Sequence, residues 1–284
     1  MTRSQHNEVL TVIGAGGMGL SVARRVGPGR VIMLADISRE CLETAGEALS
    51  SDGHQVLTRE VDVTSRASVA ALADAAASAG RVTAVVHTAG LSPQQAPADA
   101  ILAVDLLGVA HTIDEFGRVI EPGGAGVVIA SMAGHMYPAL DPKVEQQLAT
   151  APTDELLSLE ACRGITDGRQ AYPFAKRANQ IRIAAAASAW GQRAARINCI
   201  SPGIISTEMG RLELSGESGG LMKAMVDNAG LRRIGTPEDI AAATEFLLGP
   251  AAAFITGTDL LVDGGVIAAV KTGTIDLAEA LAGR

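Results

Sequence analysis

The chain contains a tyrosine and a lysine, Tyr172 and Lys176, at a spacing that could join them chemically. They occur in the stretch AYPFAKRAN, within a sequence of 284 residues that has only two tyrosines. Side chains four positions apart share one face of a helix, so the ammonium would lie beside the phenol. A free phenol has a pKa of about 10, and an adjacent ammonium lowers that pKa by stabilising the phenolate. The pair therefore predicts a phenol that can donate or accept a proton.

Ser131 could hold a substrate oxygen beside that phenol. It ends the apolar run GVVIAS at 126–131, which predicts a buried strand. A reaction that builds negative charge on a substrate oxygen needs hydrogen-bond donors at this oxygen. Ser131 would supply a hydrogen bond and Tyr172 a proton. The alternative is a strand-end hydroxyl that only satisfies backbone groups.

Seven short apolar runs alternate with alanine-rich stretches of helical pattern. This alternation predicts an α/β fold, a doubly wound parallel sheet of the Rossmann type with helices on both faces. No internal repeat or linker divides the chain, so we expect a single domain over residues 1–284. The predicted strands occupy residues 9–16, 31–36, 58–63, 82–90, 126–131, 195–203 and 259–265.

The turn after the first predicted strand, GAGGMG, has the spacing G-x-G-x-x-G. Glycines permit a tight turn and let backbone amides and a helix N-terminus approach a pyrophosphate. Such turns also serve packing alone, so a nucleotide site needs a second signal. The candidate phosphate-binding residues are Gly14, Gly16, Gly17, Met18 and Gly19.

Asp36 supplies the second signal, because it ends the next predicted strand 22 residues after Gly14. A carboxylate there can accept hydrogen bonds from a ribose. The alternative role is the N-cap of the helix that begins near DISRE. A carboxylate repels a 2′-phosphate, and the glycine turn contains no lysine or arginine, so NAD(H) is favoured over NADP(H) as cofactor. Arg39 is the nearby residue that could reverse this preference.

Composition and charge exclude several classes of function. The net charge is −8 and the arginines are scattered, which leaves no basic stripe for nucleic acid. The N-terminus lacks a signal peptide pattern, and no run of about 18 apolar residues could span a membrane, so we expect a cytoplasmic protein. The three cysteines are widely spaced, as reduced packing residues are, and the histidines lack metal-ligand spacing, so we expect no metal.

The order of these motifs resembles that of the short-chain dehydrogenase/reductase family. The resemblance covers nearly all of residues 8–266 and includes the glycine turn, the acid after the second strand, HTAG in place of the usual NNAG, a Ser-x-x-Gly and a Tyr-x-x-x-Lys. Asp62-Val63, SPG at 201–203 and FITGTDLLVDGG near the end fall in family order as well.

The resemblance implies an NAD(H)-dependent alcohol dehydrogenase or carbonyl reductase acting on a small ketone or secondary alcohol. Tyr172 would be the general acid and base, Lys176 would tune it and hold the cofactor ribose, and Ser131 would orient the oxygen. A homodimer or homotetramer is the family expectation. Further cofactor contacts are implied for Asp62 and Val63 at the adenine, for Thr88, Ala89 and Gly90 in the cleft, and for Pro202, Gly203, Ile205 and Thr207 near the nicotinamide.

Asp105 departs from the family pattern, since asparagine usually occupies its position in AVDLLGV. The family asparagine uses its main chain to bind a water linked to the lysine, and such a contact would survive the change. The side chain, however, brings a charge into an apolar helix and would need a partner there. The alternative is a solvated acid on the helix surface.

A second departure is the length of chain between the catalytic serine and tyrosine. Forty residues separate Ser131 from Tyr172, where the family usually has about a dozen, which implies an insertion at about 135–168. We expect a wall or lid over the substrate, with Met132, Met136 and Tyr137 facing the pocket. The alternative is that the insertion covers apolar surface or changes subunit contacts.

The segment 207–228 forms a second candidate wall, with glycines 216, 219 and 220 as possible hinges. Its apolar residues suggest a greasy or bulky substrate, although residues at such helical spacing more often belong to a core. They are Met209, Leu212, Leu221, Met222 and Met225.

Three other functions compete with this interpretation. A 3-oxoacyl-thioester reductase would be expected to carry a basic patch for an acyl carrier, which the acidic charge disfavours. A non-catalytic NAD-sensing protein could keep the fold, but it would not need the serine, tyrosine and lysine. A methyl-donor site on a similar sheet would not need the tyrosine and lysine either.

Overall fold

A computed structural model describes residues 7–275 and contains one parallel sheet of seven strands. The order across the sheet is β3-β2-β1-β4-β5-β6-β7, and every pairing is parallel. The predicted doubly wound sheet is thus confirmed. Its strands are β1 (Glu8–Ile13), β2 (Val31–Asp36), β3 (Gln55–Glu60), β4 (Arg81–His87), β5 (Ala125–Ile129), β6 (Arg196–Pro202) and β7 (Asp259–Val262).

Helices cover both faces of the sheet, as right-handed crossovers between parallel strands require. A π-helical turn (Leu102–Leu107) joins α4 to α5, and 3₁₀ turns occur at Thr153–Ser158 and Pro250–Ala252. The α-helices are α1 (Gly17–Val26), α2 (Arg39–Ser51), α3 (Arg66–Ala79), α4 (Ala98–Ile101), α5 (Gly108–Val119), α6 (Ala133–Met136), α7 (Pro142–Thr150), α8 (Glu160–Arg163), α9 (Gly168–Gly191), α10 (Glu208–Ser215), α11 (Gly219–Asn228), α12 (Pro237–Leu248) and α13 (Val266–Lys271).

Strand β1 shows how the sheet separates two apolar layers. Val9 and Ile13 belong to the core on one face, whereas Leu10 and Val12 belong to the core on the other, and all four are fully buried. Alternate residues of a strand point to opposite faces, so this pattern fixes the register of β1 between β2 and β4. The chain order reverses between β1 and β4, which opens a crevice at their carboxyl ends.

The third strand differs from the prediction of 58–63, because β3 spans Gln55–Glu60. It is an edge strand and most of its side chains are exposed, so it lacks the apolar run by which a buried strand is recognised. Val61 and Val63 are buried, but they lie in the loop after the strand. Asp62 therefore follows the sheet edge rather than lying within a strand.

The inserted segment before α9 packs against the body of the domain. Leu148, Leu156 and Cys162 are buried in a cluster with α4 and the first half of α9. The guanidinium of Arg182 on α9 donates hydrogen bonds to the carbonyls of Leu148 and Ala151, at 2.9 and 3.2 Å. The insertion thus covers an apolar helix surface, as the alternative interpretation of this segment had it.

Candidate active site

Two adjoining cavities occupy the crevice at the carboxyl edge of the sheet. One has a volume of about 410 Å³ and lies against the glycine turn and Asp36. The other, of about 810 Å³, lies against Ser131, Tyr172 and Lys176. The residues that line both are Met18, Thr88, Gly90, Thr207 and Met209, so the two cavities form one continuous cleft.

The glycine turn has the backbone that a phosphate-binding loop requires. Gly14 has a φ of +100°, and a side chain there would meet Thr88 Oγ1 at 2.5 Å. A Cβ on Gly19 would lie 1.8 Å from the carbonyl oxygen of Gly14, so the start of α1 packs directly on the turn. Gly16 faces open space at the N-terminus of α1, where a pyrophosphate could approach the helix amides.

The Asp36 carboxylate is held at the end of β2 by two backbone amides. Oδ2 accepts a hydrogen bond from Ala15 N at 2.8 Å, and Oδ1 accepts one from Ser38 N at 2.9 Å. The N-cap of α2 is Ser38, whose hydroxyl accepts from Cys41 N, so the helix-capping alternative for Asp36 is wrong. The carboxylate is thereby fixed beside the glycine turn.

The residues that follow Asp36 place no cation next to its carboxylate. Ile37 lines the smaller cavity and is 66% exposed, as an apolar surface for a planar base would be. The Arg39 guanidinium is highly exposed and lies 3.5 Å from Glu60 on the adjacent strand.

The predicted cofactor residues line the two adjoining cavities. The smaller cavity is lined by Gly14, Gly16, Gly17, Met18, Gly19, Asp36, Asp62, Val63, Thr88, Ala89, Gly90 and Thr207. The larger cavity is lined by Met18, Thr88, Gly90, Tyr172, Lys176, Pro202, Gly203, Ile205 and Thr207. The residues present therefore fit a nicotinamide dinucleotide with its adenosine at the smaller cavity.

Lys176 forms an ion pair with Asp105 inside the larger cavity. Nζ of Lys176 lies 3.0 Å from Oδ2 of Asp105, and the two side chains are 5% and 0% exposed. Asp105 Oδ1 accepts a hydrogen bond from Leu91 N at 2.7 Å, and the Asp105 carbonyl accepts one from Asn179 Nδ2 at 2.8 Å. Asp105 is thus a buried, paired acid, and the solvated alternative is wrong.

The backbone around Asp105 and Gly90 brings this pair together. Asp105 lies in the π-helical turn, and such widened turns are frequent at functional sites. A side chain on Gly90 would stand 3.2 Å from Asp105 Oδ2 and 3.3 Å from Lys176 Nζ. Glycine at this position therefore makes room for the ion pair.

Burial and charge act in opposite senses on these two groups. Burial alone would lower the pKa of Lys176, but the attraction of Asp105 and of Tyr172 outweighs it and raises that pKa. Burial raises the pKa of Asp105, and Lys176 and the Leu91 amide offset this only in part. Burial and then the charge of Lys176 lower the pKa of His87 to about 3, so His87 is neutral at physiological pH.

Tyr172 and Ser131 face the same cavity as this pair. Lys176 Nζ lies 5.3 Å from the centre of the Tyr172 ring, one turn along α9. Ser131 is 8% exposed at the end of β5, and its Oγ accepts a hydrogen bond from Ala133 N at 3.1 Å. The Ser131 hydroxyl proton remains available to a substrate oxygen.

Helix α9 carries Tyr172 and Lys176, and it starts at Gly168 with Asp167 as its N-cap. Pro173 consequently lies in the second turn, where its missing N–H leaves the Arg169 carbonyl without a helical donor. Tyr172 is therefore held by a full turn of helix on its N-terminal side.

The wall opposite the cofactor positions is formed by two segments. Met132, Met136 and Tyr137 line the larger cavity, as expected. Residues 139–166 do not line it, so the lid role predicted for the body of the insertion is wrong in this structure. From 207–228, Met209, Leu221, Met222 and Met225 line the cavity, whereas Leu212 points elsewhere and is 45% exposed.

Other lining residues were not singled out from the sequence. Ile37 carried a local signal, because it follows the acid that ends β2. Others come from loops and helix ends whose approach depends on tertiary structure, among them Leu91, Gln95, Val104 and Glu208 in the smaller cavity, and Ser92, Gln94, Asp167, Arg169, Gln170 and Ile204 in the larger one.

His87 and His135, which lie near the candidate site in the sequence, each have a side chain within hydrogen-bond distance. His87 Nδ1 lies 2.9 Å from Thr112 Oγ1 in the core, and His135 Nε2 lies 2.6 Å from Asp259 Oδ2. Within residues 7–275 no three potential metal ligands converge. In the same part of the chain, no helix combines the length and apolarity needed to cross a membrane.

The chain is similar to known proteins over most of its length. Residues 8–142 match the family model described as short chain dehydrogenase, and residues 156–267 match the one described as Enoyl-(Acyl carrier protein) reductase. The short-chain dehydrogenase/reductase bsc3 of Alternaria brassicicola is 40% identical, over 93% of this chain and 97% of that protein. The D-threitol dehydrogenase of Mycolicibacterium smegmatis is 31% identical, over 88% and 89%. The crystal structure of levodione reductase superposes with a TM-score of 0.74 at 25% identity, over 93% and 98%.

Proposed function

Because the chain belongs to the short-chain dehydrogenase/reductase family, we propose that it is an NAD(H)-dependent oxidoreductase that interconverts a secondary alcohol and a ketone. One observation carries the proposal. Ser131, Tyr172 and Lys176 line one cavity, and that cavity continues into the cleft beside the glycine turn and Asp36. Groups for proton transfer and groups for dinucleotide binding therefore border the same space.

The nicotinamide, when bound, supplies a hydride to a ketone or accepts one from an alcohol. Tyr172 Oη donates a proton to the substrate oxygen during reduction and accepts it during oxidation. Ser131 Oγ donates a hydrogen bond to the same oxygen and thereby stabilises its developing negative charge. Lys176 would stabilise the phenolate and, as the family resemblance implies, hold the nicotinamide-side ribose.

Asp105 takes part as a positioning residue. Its carboxylate lies 3.0 Å from Lys176 Nζ, and its own position is fixed by the Leu91 amide and the Asn179 side chain. It holds the ammonium in place and offsets part of its charge. The Asp105 side chain contacts Lys176 directly. The family resemblance implied instead a water that links the main chain at this position to the lysine.

The preference for NAD(H) over NADP(H) is supported by the surroundings of Asp36. The carboxylate lines the smaller cavity, where it would accept from an adenosine ribose and would repel a 2′-phosphate. Ile37 follows it, and the Arg39 guanidinium lies beside Glu60. The residues after β2 thus offer a ribose acceptor without a phosphate-binding cation.

The second candidate function is reduction of a 3-oxoacyl thioester; the family model that matches residues 156–267 also names an acyl carrier protein, although its description refers to reduction of an enoyl group. The net charge of −8 disfavours it, since an acidic carrier protein would be repelled. A non-catalytic NAD-sensing role would leave Ser131, Tyr172 and Lys176 without a purpose. We propose a cytoplasmic homodimer or homotetramer, and the three free cysteines support a reducing compartment.

The test is nicotinamide absorbance during turnover, with NADH and NADPH compared across ketones from small aliphatic to steroid size. We expect turnover with NADH, a lower kcat/KM with NADPH, and loss of both in Tyr172→Phe. Tight NADH binding without reduction of any ketone would favour the sensing role. Turnover of a 3-oxoacyl thioester alone would favour the second candidate.

A further inference from the structure

Apolar side chains make up much of the lining of the larger cavity. They are thioethers, an aromatic ring, proline rings and aliphatic side chains from α6, α9, the loop after β6, and the segment α10–α11. These residues are Met132, Met136, Tyr137, Pro138, Pro173, Ile204, Met209, Leu221, Met222 and Met225. Methionine is flexible and polarisable, so such a wall adapts to irregular apolar shapes.

The charged residues that line this cavity, apart from Lys176 and Asp105, each have a partner. Arg169, at the start of α9, forms an ion pair with Glu217 between α10 and α11, and both are largely exposed. Glu213 accepts a hydrogen bond from Gln94 N at 3.3 Å, and Asp167 accepts one from Arg169 N at 2.9 Å as the cap of α9. These contacts occupy part of the hydrogen-bonding capacity of each charged group.

The polar lining residues divide into those that the proposed reaction uses and those that remain. Ser131 and Tyr172 are reserved for the reacting oxygen, and the Lys176 ammonium is paired with Asp105. Gln94, Gln170 and Ser218 also line the cavity, and Ser92 is 2% exposed with an Oγ that is buried without a partner. A polyol would need a partner for each hydroxyl that it buried against the apolar side chains, and unpaired buried hydroxyls weaken binding strongly.

The volume of the larger cavity also favours a bulky apolar ligand. The cavity of about 810 Å³ includes the nicotinamide positions, and the remainder extends to Met222 and Met225 on α11. Small ketones would leave much of this wall unfilled. A ligand that covered it would gain affinity with each apolar carbon removed from water.

We propose that the substrate is a bulky apolar secondary alcohol or ketone of two or more fused carbon rings, with no hydroxyls beside the reacting carbon. This inference rests on the proposed function, because it assigns the ligand of the same site. The segment α10–α11 then determines substrate size through Met209, Leu221, Met222 and Met225, and the insertion of α7 and α8 does not.

The experiment compares three ketones with the full chain and NADH: 2-decalone, cyclohexanone and L-erythrulose, a small polyhydroxylated ketone. We expect kcat/KM for 2-decalone to exceed that for cyclohexanone by about 100-fold, since it buries four more carbons. L-Erythrulose should be the poorest of the three. Equal or better turnover of L-erythrulose would overturn the inference.

Two variants in the segment α10–α11 test whether this segment determines the size of the preferred substrate. Met222→Trp adds bulk inside the cavity, whereas Leu212→Trp adds the same side chain at an exposed position outside it. We expect Met222→Trp to lower the ratio of kcat/KM for 2-decalone over cyclohexanone at least tenfold, and Leu212→Trp to keep the ratio of the unmodified chain. The inference is wrong if the two variants change that ratio alike.

Binding to Tyr172→Phe separates the ligand assignment from the chemistry. This variant keeps the apolar wall, and calorimetry of its NADH complex should give a Kd for 2-decalone at least tenfold below that for L-erythrulose. If 2-decalone binds at least tenfold more tightly than L-erythrulose but the unmodified chain reduces no ketone, the proposed function is wrong and the proposed ligand class is supported. If L-erythrulose binds as well or better, while its turnover requires Tyr172, the ligand class fails and the proposed function stands.

Discussion

Oδ2 of Asp105 lies 3.0 Å from Nζ of Lys176, and this buried ion pair stands directly behind the phenol that is proposed to transfer the proton. A negative charge so close to the ammonium weakens the field that the ammonium exerts on Tyr172. In the family pattern this position is an asparagine, which would leave the ammonium uncompensated. The pH dependence of the reaction is therefore expected to differ from that of a site with the amide.

Asp105→Asn should move the pH dependence of alcohol oxidation toward lower pH. The amide can still accept the hydrogen bond from Leu91 N, but the charge of Lys176 then acts on the phenol unopposed. We expect the pH profile of kcat/KM for oxidation to shift toward lower pH. Asp99→Asn, an exposed acid on the neighbouring helix α4, is the control and should leave the midpoint of this profile in place.

A midpoint that stays constant or rises in Asp105→Asn would contradict this account of the pair. The substitution should also lower the free energy of unfolding by about 3 kcal/mol, because it leaves a buried ammonium without its partner. Urea unfolding measures this loss. It also shows whether the variant is folded under the conditions of the pH profile.

Asp36→Ala should impair use of NADH far more than use of NADPH. The variant loses the acceptor for the ribose hydroxyls, and it also loses the repulsion of a 2′-phosphate. We expect kcat/KM for NADH to fall at least about tenfold, which corresponds to loss of a hydrogen bond to a charged group. Asp52→Ala, a half-exposed acid at the end of α2, serves as control. Equal losses with both cofactors would argue against a ribose role for Asp36.

His87 should make the protein sensitive to mild acid. Its pKa is lowered to about 3 by burial and by Lys176, whereas in the unfolded chain it is about 6.5. Between these values the unfolded state binds more protons, so stability is lost as the pH falls from 6.5 toward 3. In His87→Asn, the loss of unfolding free energy between pH 7 and pH 4 should be about 3 kcal/mol smaller.

Urea unfolding at the two pH values measures that difference. His54→Asn, at a partly exposed position before β3, is the matched control and should follow the unmodified chain. An equal loss in His87→Asn and the unmodified chain would mean that His87 is not the group responsible.

Leu148→Ala should destabilise the protein without changing which substrates it prefers. Leu148 is fully buried between α7 and α9, and removal of such a side chain costs about 2–5 kcal/mol. Because residues 139–166 do not line the cavity, the ranking of ketones by kcat/KM should be that of the unmodified chain. Met136→Ala alters the wall itself and should change the ranking. A changed ranking in Leu148→Ala would revive the lid interpretation.

The sequence predicted the sheet well because buried parallel strands are continuous apolar runs. Six of the seven strands lie within or at the edge of the predicted runs, and the third was displaced because the edge strand β3 is exposed. The glycine turn, Asp36 and Ser131 could be located because each lies at or just after the end of a strand, and Tyr172 and Lys176 could be located by their helical spacing. All of them line the cleft.

What escaped sequence analysis depended on contacts distant along the chain. The Asp105 partner could not be decided, since Lys176 is 71 positions away and belongs to another helix. The insertion was visible from its length, but its amphipathic pattern did not say which surface Leu148 and Leu156 would cover. Leu212 is a further example, because it is as apolar as Met209 and Leu221 but, unlike them, does not line the cavity.

The most direct test of the central claim compares the only two tyrosines of the chain. Tyr172 lies beside Lys176, whereas Tyr137 contacts Phe174 edge-on, with ring centres 5.6 Å apart. Each Tyr→Phe change removes one hydroxyl, and the measurement is NADH oxidation with the best ketone of the panel. We predict that Tyr172→Phe lowers kcat by at least about 10²-fold and that Tyr137→Phe has a far smaller effect. Retention of kcat in Tyr172→Phe would contradict the proposed mechanism.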